Sequence, residues 1–121
     1  MAAARYPIDA QRGLKVFLGT GCANCHFGPR FTNGEFGDIG IPFFLDRPGE
    51  IDSGRFGGIE RLQSSPFNLL GSYNDDASGA SATRTRHVEL QHRNFGEFRV
   101  PGLRQVGRSA PYMHAGSVPS I

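Results

Sequence analysis

Cys22-Ala23-Asn24-Cys25-His26 holds both cysteines of a 121-residue chain and sets a histidine directly after the second. The spacing is C-x-x-C-H, the attachment signature of c-type haem. Two thiols at this separation can each form a thioether with one vinyl group of a single porphyrin. His26 then falls beneath the iron, where a neutral imidazole is a strong axial ligand and its other ring nitrogen usually donates to a carbonyl. A structural zinc site wants four ligands, usually in two tight clusters. His87 and His92 come nearest to a second cluster, and His114 stands apart. A thioredoxin-like redox pair wants a βαβ context, which the flanking sequence does not offer. A plain disulfide would leave the adjacent histidine unexplained. The immediate His and the absence of further cysteines favour haem over all three.

Composition fits a chain built around a cofactor. There are 17 Gly, 8 Pro and 10 Phe, with no Trp. A loop-rich chain of this size buries little surface and calls for a staple or a bound group. The net charge of +2, from 13 basic and 11 acidic residues, argues against nucleic acid or an anionic membrane as partner. No apolar run approaches a membrane span, and Met1 to Pro7 lacks the apolar stretch of a secretory signal. The Gly-rich segments do not follow a strand and open a helix, so no nucleotide fingerprint applies. No residue set for hydrolysis or phosphate binding is readable.

Outward from the motif, a helix is expected over residues 9–18. Asp9 is its N-cap, Leu14, Phe17 and Leu18 form one apolar face, and Gly19 and Gly21 stop it. That face would pack on the porphyrin. Residues 27–58 follow no period and read as an ordered loop wrapped on the haem, including Phe27 to Gly34, Pro42-Phe43-Phe44 and Pro48-Gly49, because linkers are poor in Phe. A short helix is expected from Gly57 to Gln63, with Ile59 and Leu62 inward and Pro66 interrupting. Residues 72–86 read as the most exposed and least ordered stretch. His87 and His92 read as surface residues rather than iron ligands. The expected fold is mainly α: a single cytochrome c-like haem domain over 1–121, with long Gly/Pro-rich loops and little or no sheet.

Four segments together resemble a known family: Gly13 to Phe17 leading into Cys22-Ala-Asn-Cys25-His26; the continuation Phe27-Gly-Pro-Arg-Phe-Thr-Asn-Gly34; Asp52-Ser-Gly-Arg55; and Val100-Pro-Gly-Leu-Arg104 followed by Ala110-Pro-Tyr-Met-His-Ala-Gly116. In order and spacing they are similar to the C-terminal haem domain of bacterial di-haem cytochrome c peroxidases, within them the MauG-like branch. The likeness runs from Pro7 to Ser117, with residues 72–95 poorly matched.

The resemblance implies the following roles. Cys22 and Cys25 hold haem c, and His26 is the proximal iron ligand. Backbone carbonyls around Ser109 and Pro111 are candidate calcium ligands at a boundary between domains, since calcium takes carbonyl oxygens readily. Arg104 is a candidate contact to a haem propionate. Met113 is a weak candidate for distal ligand, because the family places it and His114 near the haem edge. The family carries two haem domains, and its second axial ligand, Met in the peroxidases and Tyr in the MauG-like branch, lies further past the histidine matched by His114 than this sequence runs. The expectation is therefore a fragment of a two-haem-domain protein, periplasmic, with its signal peptide outside this chain.

Two functions follow as expectations. One is the electron-relay domain of a di-haem peroxidase or MauG-like oxidase, part of an oxidoreductase and not competent alone. Its partners would be the second haem domain of the same parent protein and an electron-donor or substrate protein. The alternative is a stand-alone mono-haem cytochrome c carrier with Met113 as sixth ligand. A second C-x-x-C-H upstream in the same reading frame would separate them.

Overall fold

Pro7 begins the first helix. In the computed structural model, which describes residues 6–40, 50–76 and 78–121, α1 spans Ile8–Gly19 with Pro7 at its N-cap and no side-chain cap. The expected cap, Asp9, lies instead inside the first turn and meets the Arg12 guanidinium at 3.4 Å. The proline ring fixes φ near −51°, so the chain enters the helix there, and a carboxylate one position further in still faces the positive end of the helix dipole. At the other end, Gly21 takes φ +83°, and the Thr20 hydroxyl donates to the Val16 carbonyl at 2.8 Å. No side chain of α1 is buried.

Between the helices the chain runs through turns to β1, Phe36–Gly37, which pairs antiparallel with β2, Phe98–Arg99, placing Phe36 opposite Arg99. Of the expected long loop, Pro42-Phe43-Phe44 and Pro48-Gly49 lie outside the described residues, as do the first five residues.

The second helix, α2, spans Arg55–Ser64 and begins two residues before the expected start. Groups outside the periodic pattern set that start. Asp52 Oδ1 accepts from the Gly54 amide at 2.9 Å, and Ser53 Oγ accepts from the Gly57 amide at 3.0 Å. The Arg55 amide donates to the Glu97 carbonyl at 2.8 Å. Gly54, at φ +61°, lies so close to that carbonyl that a side chain would strike it. Ile59 is buried and Leu62 half-buried, as the spacing implies. The helix stops at Ser64, because Ser65 precedes a proline and is extended.

α2 packs on the 3-10 turn His92–Asn94, with Phe56 and Phe95 edge to face at 5.8 Å. Asn94 is 2% exposed. Its Nδ2 donates to Glu97 Oε2 at 2.9 Å, its Oδ1 accepts from the Gln91 amide at 3.0 Å, and Arg55 reaches the same Glu97 oxygen at 3.2 Å. This polar knot joins the two halves of the chain.

The described residues of the 72–86 stretch are mostly exposed, as expected, but ordered turns correct the expectation that they are the least ordered. Short polar side chains here close hydrogen-bonded turns instead of building a period. Asp76 Oδ1 accepts from the Ser78 amide at 3.0 Å and the Ser78 hydroxyl at 2.5 Å, and Asp76 Oδ2 from the Ser81 amide at 2.7 Å. The Ser78 hydroxyl first, then the Ser81 amide, hold the Asp76 carboxyl far below the usual carboxylate range. A short helix, α3, Thr83–Arg86, follows, and Ala82 before it is buried.

The apolar core is small. Among the described residues only Ile59 and Ala82 are buried hydrophobics, while Leu14, Val16, Leu18 and Phe27 are each more than half exposed. The described residues form three α-helices and one two-stranded sheet, and on the apolar stripe of α1 Leu14 and Leu18 stay exposed while Phe17 meets Phe31. No described helix is long and apolar enough to cross a membrane.

Candidate functional site

The C-terminus of α1 delivers the cysteine motif. Gly21, in its left-handed conformation, turns the chain, and Cys22–Asn24 form one 3-10 turn. The His26 amide then donates to the Cys22 carbonyl at 2.9 Å. Both thiols are free and exposed, so the cysteines do not form a disulfide. The Thr20 hydroxyl lies 3.3 Å from Cys22 Sγ.

His26 Nδ1 lies 3.0 Å from the Phe31 carbonyl oxygen. A carbonyl accepts only, so this contact selects the tautomer with the proton on Nδ1. The lone pair then sits on Nε2, which makes no hydrogen bond among the described residues. Two free thiols and an oriented imidazole on one short turn form a donor set that could tether a porphyrin and ligate its iron. The exposed Leu14 and Leu18 of α1 and the exposed Phe27 offer the apolar surface such a ring requires.

The placement of the Phe31 carbonyl is itself unusual. Phe31 takes φ +54°, a region that a non-glycine residue with a bulky side chain rarely enters. Hydrogen bonds on both sides hold it there: the Phe31 amide to the Gly28 carbonyl at 3.0 Å, and the Thr32 amide to the Phe27 carbonyl at 3.1 Å. The Phe17 ring meets the Phe31 ring edge to face at 6.1 Å, so α1 braces the turn as well. Phe31 escaped the sequence reading, which expected a carbonyl acceptor without naming it.

The other candidates fall as follows. Arg104 Nε donates to the Pro29 carbonyl at 2.5 Å, and its guanidinium carbon lies 5.8 Å from the centre of the Phe31 ring. Arg104 thus joins the His26 turn from the far end of the chain. Met113, at φ +69° and 46% exposed, sits in the loop closed by the Tyr112–Val118 bridge. The His114 ring stacks on Phe98, centres 3.7 Å apart. Ser109 donates its hydroxyl to the Val106 carbonyl at 3.0 Å, while the carbonyls of Ser109 and Pro111 accept no backbone hydrogen bond among the described residues. His87 and His92 are exposed. Among the described residues no group of three or more His, Cys, Asp or Glu is placed to hold a metal ion.

No protein-family model and no solved structure matches this chain. Curated proteins do. It is 28% identical over 121 residues to cytochrome-c peroxidase IdrP1 of Pseudomonas sp. (strain SCT), an alignment covering 92% of the chain and 28% of that protein. It is 28% identical over 120 residues to cytochrome-c peroxidase IdrP1 of Denitromonas iodatirespirans, covering 98% of the chain and 30% of the relative. It is 30% identical over 114 residues to the methylamine utilization protein MauG of Methylorubrum extorquens, covering 93% of the chain and 23% of the relative. The chain thus spans between 23% and 30% of the length of these relatives.

Proposed function

Because this chain is a relative of the cytochrome c peroxidases and of MauG, we propose that it is their C-terminal haem domain, an electron-transfer unit within a larger oxidoreductase. Cys22 and Cys25 carry haem c as thioethers, and Nε2 of His26 is the proximal iron ligand. The bound haem supplies reversible one-electron chemistry. The residues of this chain do the rest. The 21–26 turn sets the two thiols and the imidazole on one element, the Phe31 carbonyl orients the ring, and α1 with Phe27 excludes water. The domain relays electrons between a donor or substrate protein and a second haem domain of the same parent protein, in the periplasm, and is not competent alone. The carbonyls of Ser109 and Pro111 contribute to a calcium site toward that second domain.

The observation that carries this reading is the 3.0 Å contact from His26 Nδ1 to the Phe31 carbonyl, beside two free thiols. The test is His26→Ala in a host with c-type haem maturation. The variant should keep covalent haem while its absorption spectrum changes. An unchanged spectrum would remove His26 as a ligand. The mono-haem carrier with Met113 bound makes the opposite claim at another residue: Met113→Ala should then alter the spectrum.

A further inference from the structure

We propose that Arg104 is a positioning residue for His26. Its guanidinium locks the 29–31 turn so that the Phe31 carbonyl stays aimed at Nδ1, and through that hydrogen bond it raises the electron-donating strength of the imidazole. This rests on the haem reading above, and it gives Arg104 a role other than propionate contact.

The geometry assembles in three steps. First, the acceptor of His26 is carried by a residue whose φ of +54° is unfavourable for any side chain. Such a conformation persists only where its surroundings over-determine it. Second, most of the surroundings are local: the amide bonds from Phe31 and Thr32 close the turn on itself, and Phe17 braces the ring from α1. Third, the remaining restraint comes from 75 positions away, where Arg104 ties down the Pro29 carbonyl at 2.5 Å and covers the Phe31 ring. The segment leading to Arg104 is itself held against the turn. Thr32 Oγ1 donates to the Val100 carbonyl at 2.6 Å. Gly102 passes so near that a Cβ there would lie 3.0 Å from the Arg30 carbonyl. Arg104 therefore starts from an anchored backbone and reaches both ends of the Pro29–Phe31 peptide run with one planar group. Lysine, a point charge on a flexible stem, cannot reproduce that double contact.

A hydrogen bond from Nδ1 makes Nε2 a stronger donor and favours the ferric form; loosening it favours the ferrous form. Simple loss of a positive charge acts in the opposite sense, because a nearby cation disfavours the more positive iron. The sign of the change therefore separates a positioning role from a charge or propionate role.

The experiment uses the whole chain matured with haem, poised at one fixed potential near its midpoint, with the ferrous-to-ferric ratio read by absorption. Arg104→Gln should raise that ratio by about tenfold, in line with the loss of an outer-shell partner, despite removing a positive charge. Arg104→Lys, which keeps the charge, should raise it too. Arg30→Gln, which removes a charge from the same turn without touching the clamp, should lower it or leave it unchanged. A lowered ratio in Arg104→Gln, or no change in Arg104→Lys, overturns the proposal. Should Arg104→Gln not mature, Arg104→Lys decides by itself, because no charge is lost. A parent chain that holds no haem overturns the haem reading first, so the two failures are distinct.

Discussion

The Nδ1 nitrogen of His26 and the carbonyl oxygen of Phe31 are 3.0 Å apart, across a turn whose last residue holds a positive φ. Tautomer, ring orientation and the freedom of Nε2 all descend from that contact. Beside that turn, Leu14 and Leu18 of α1 are each more than half exposed.

Stability should therefore depend on haem. With only Ile59 and Ala82 as buried hydrophobics among the described residues, the haem-free chain should lack the apolar burial needed to offset its conformational entropy. The Cys22→Ala, Cys25→Ala double variant, freed of haem, should show near-UV circular dichroism close to that of a denatured chain and no cooperative thermal transition. A cooperative, haem-free folded state would contradict this.

Asn94 should be the most sensitive polar position outside the haem turn. It is 2% exposed and bonds both Glu97 and the Gln91 amide. Asn94→Ala leaves the Gln91 amide without its acceptor and Glu97 with Arg55 alone, a loss of about 1–3 kcal/mol for the buried group left unpaired. Denaturant unfolding of the haem-loaded chain measures it. A change below about 0.5 kcal/mol, the range of ordinary surface substitutions, would mean that the knot between α2 and the 92–97 turn holds little together.

The sequence made some of this legible and hid the rest for identifiable reasons. The stripe of Leu14, Phe17 and Leu18 announced α1, because helical periodicity is local. The cysteine motif likewise brings both thiols and His26 onto one turn because its spacing is local. The start of α2 did not show, since Asp52, Ser53 and the Glu97 carbonyl supply it from outside the periodic segment. The acceptor for His26 did not show either. It depends on a left-handed phenylalanine and on contacts with residues 100–104, neither of which has a signature in spacing. The exposure of the 72–86 stretch was legible in its polar composition, but its order was not, because Asp76 organises turns through side-chain hydrogen bonds that leave no period.

Asp76 carries a pH signature. Its carboxyl titrates far below the ordinary range when folded, because the Ser78 hydroxyl and then the Ser81 amide bind the charged form. A depressed folded value contributes stability that is complete above the unfolded pKa, about 3.9 for Asp, and is lost as pH falls toward the folded value. The stability difference between the parent and Asp76→Ala should be constant from pH 7 to pH 5 and shrink below pH 4. A difference that grows on acidification would reverse the assignment. Solvent exposure keeps the effect small.

Met113 separates the two electron-transfer readings. It is 46% exposed in its loop. Met113→Ala should leave the absorption spectrum and the response to added cyanide of the haem-loaded chain unchanged. If this one substitution opens the iron to cyanide, the chain is a mono-haem carrier and not a relay domain.

Covalent attachment through Cys22 and Cys25 is the central claim, and acid-acetone extraction of the chain matured with c-type machinery tests it most directly. The parent chain should retain its haem through extraction, Cys22→Ala and Cys25→Ala should each keep at most one thioether, and the double variant should release everything. Covalent haem surviving in the double variant, or haem extracted freely from the parent, would contradict the account.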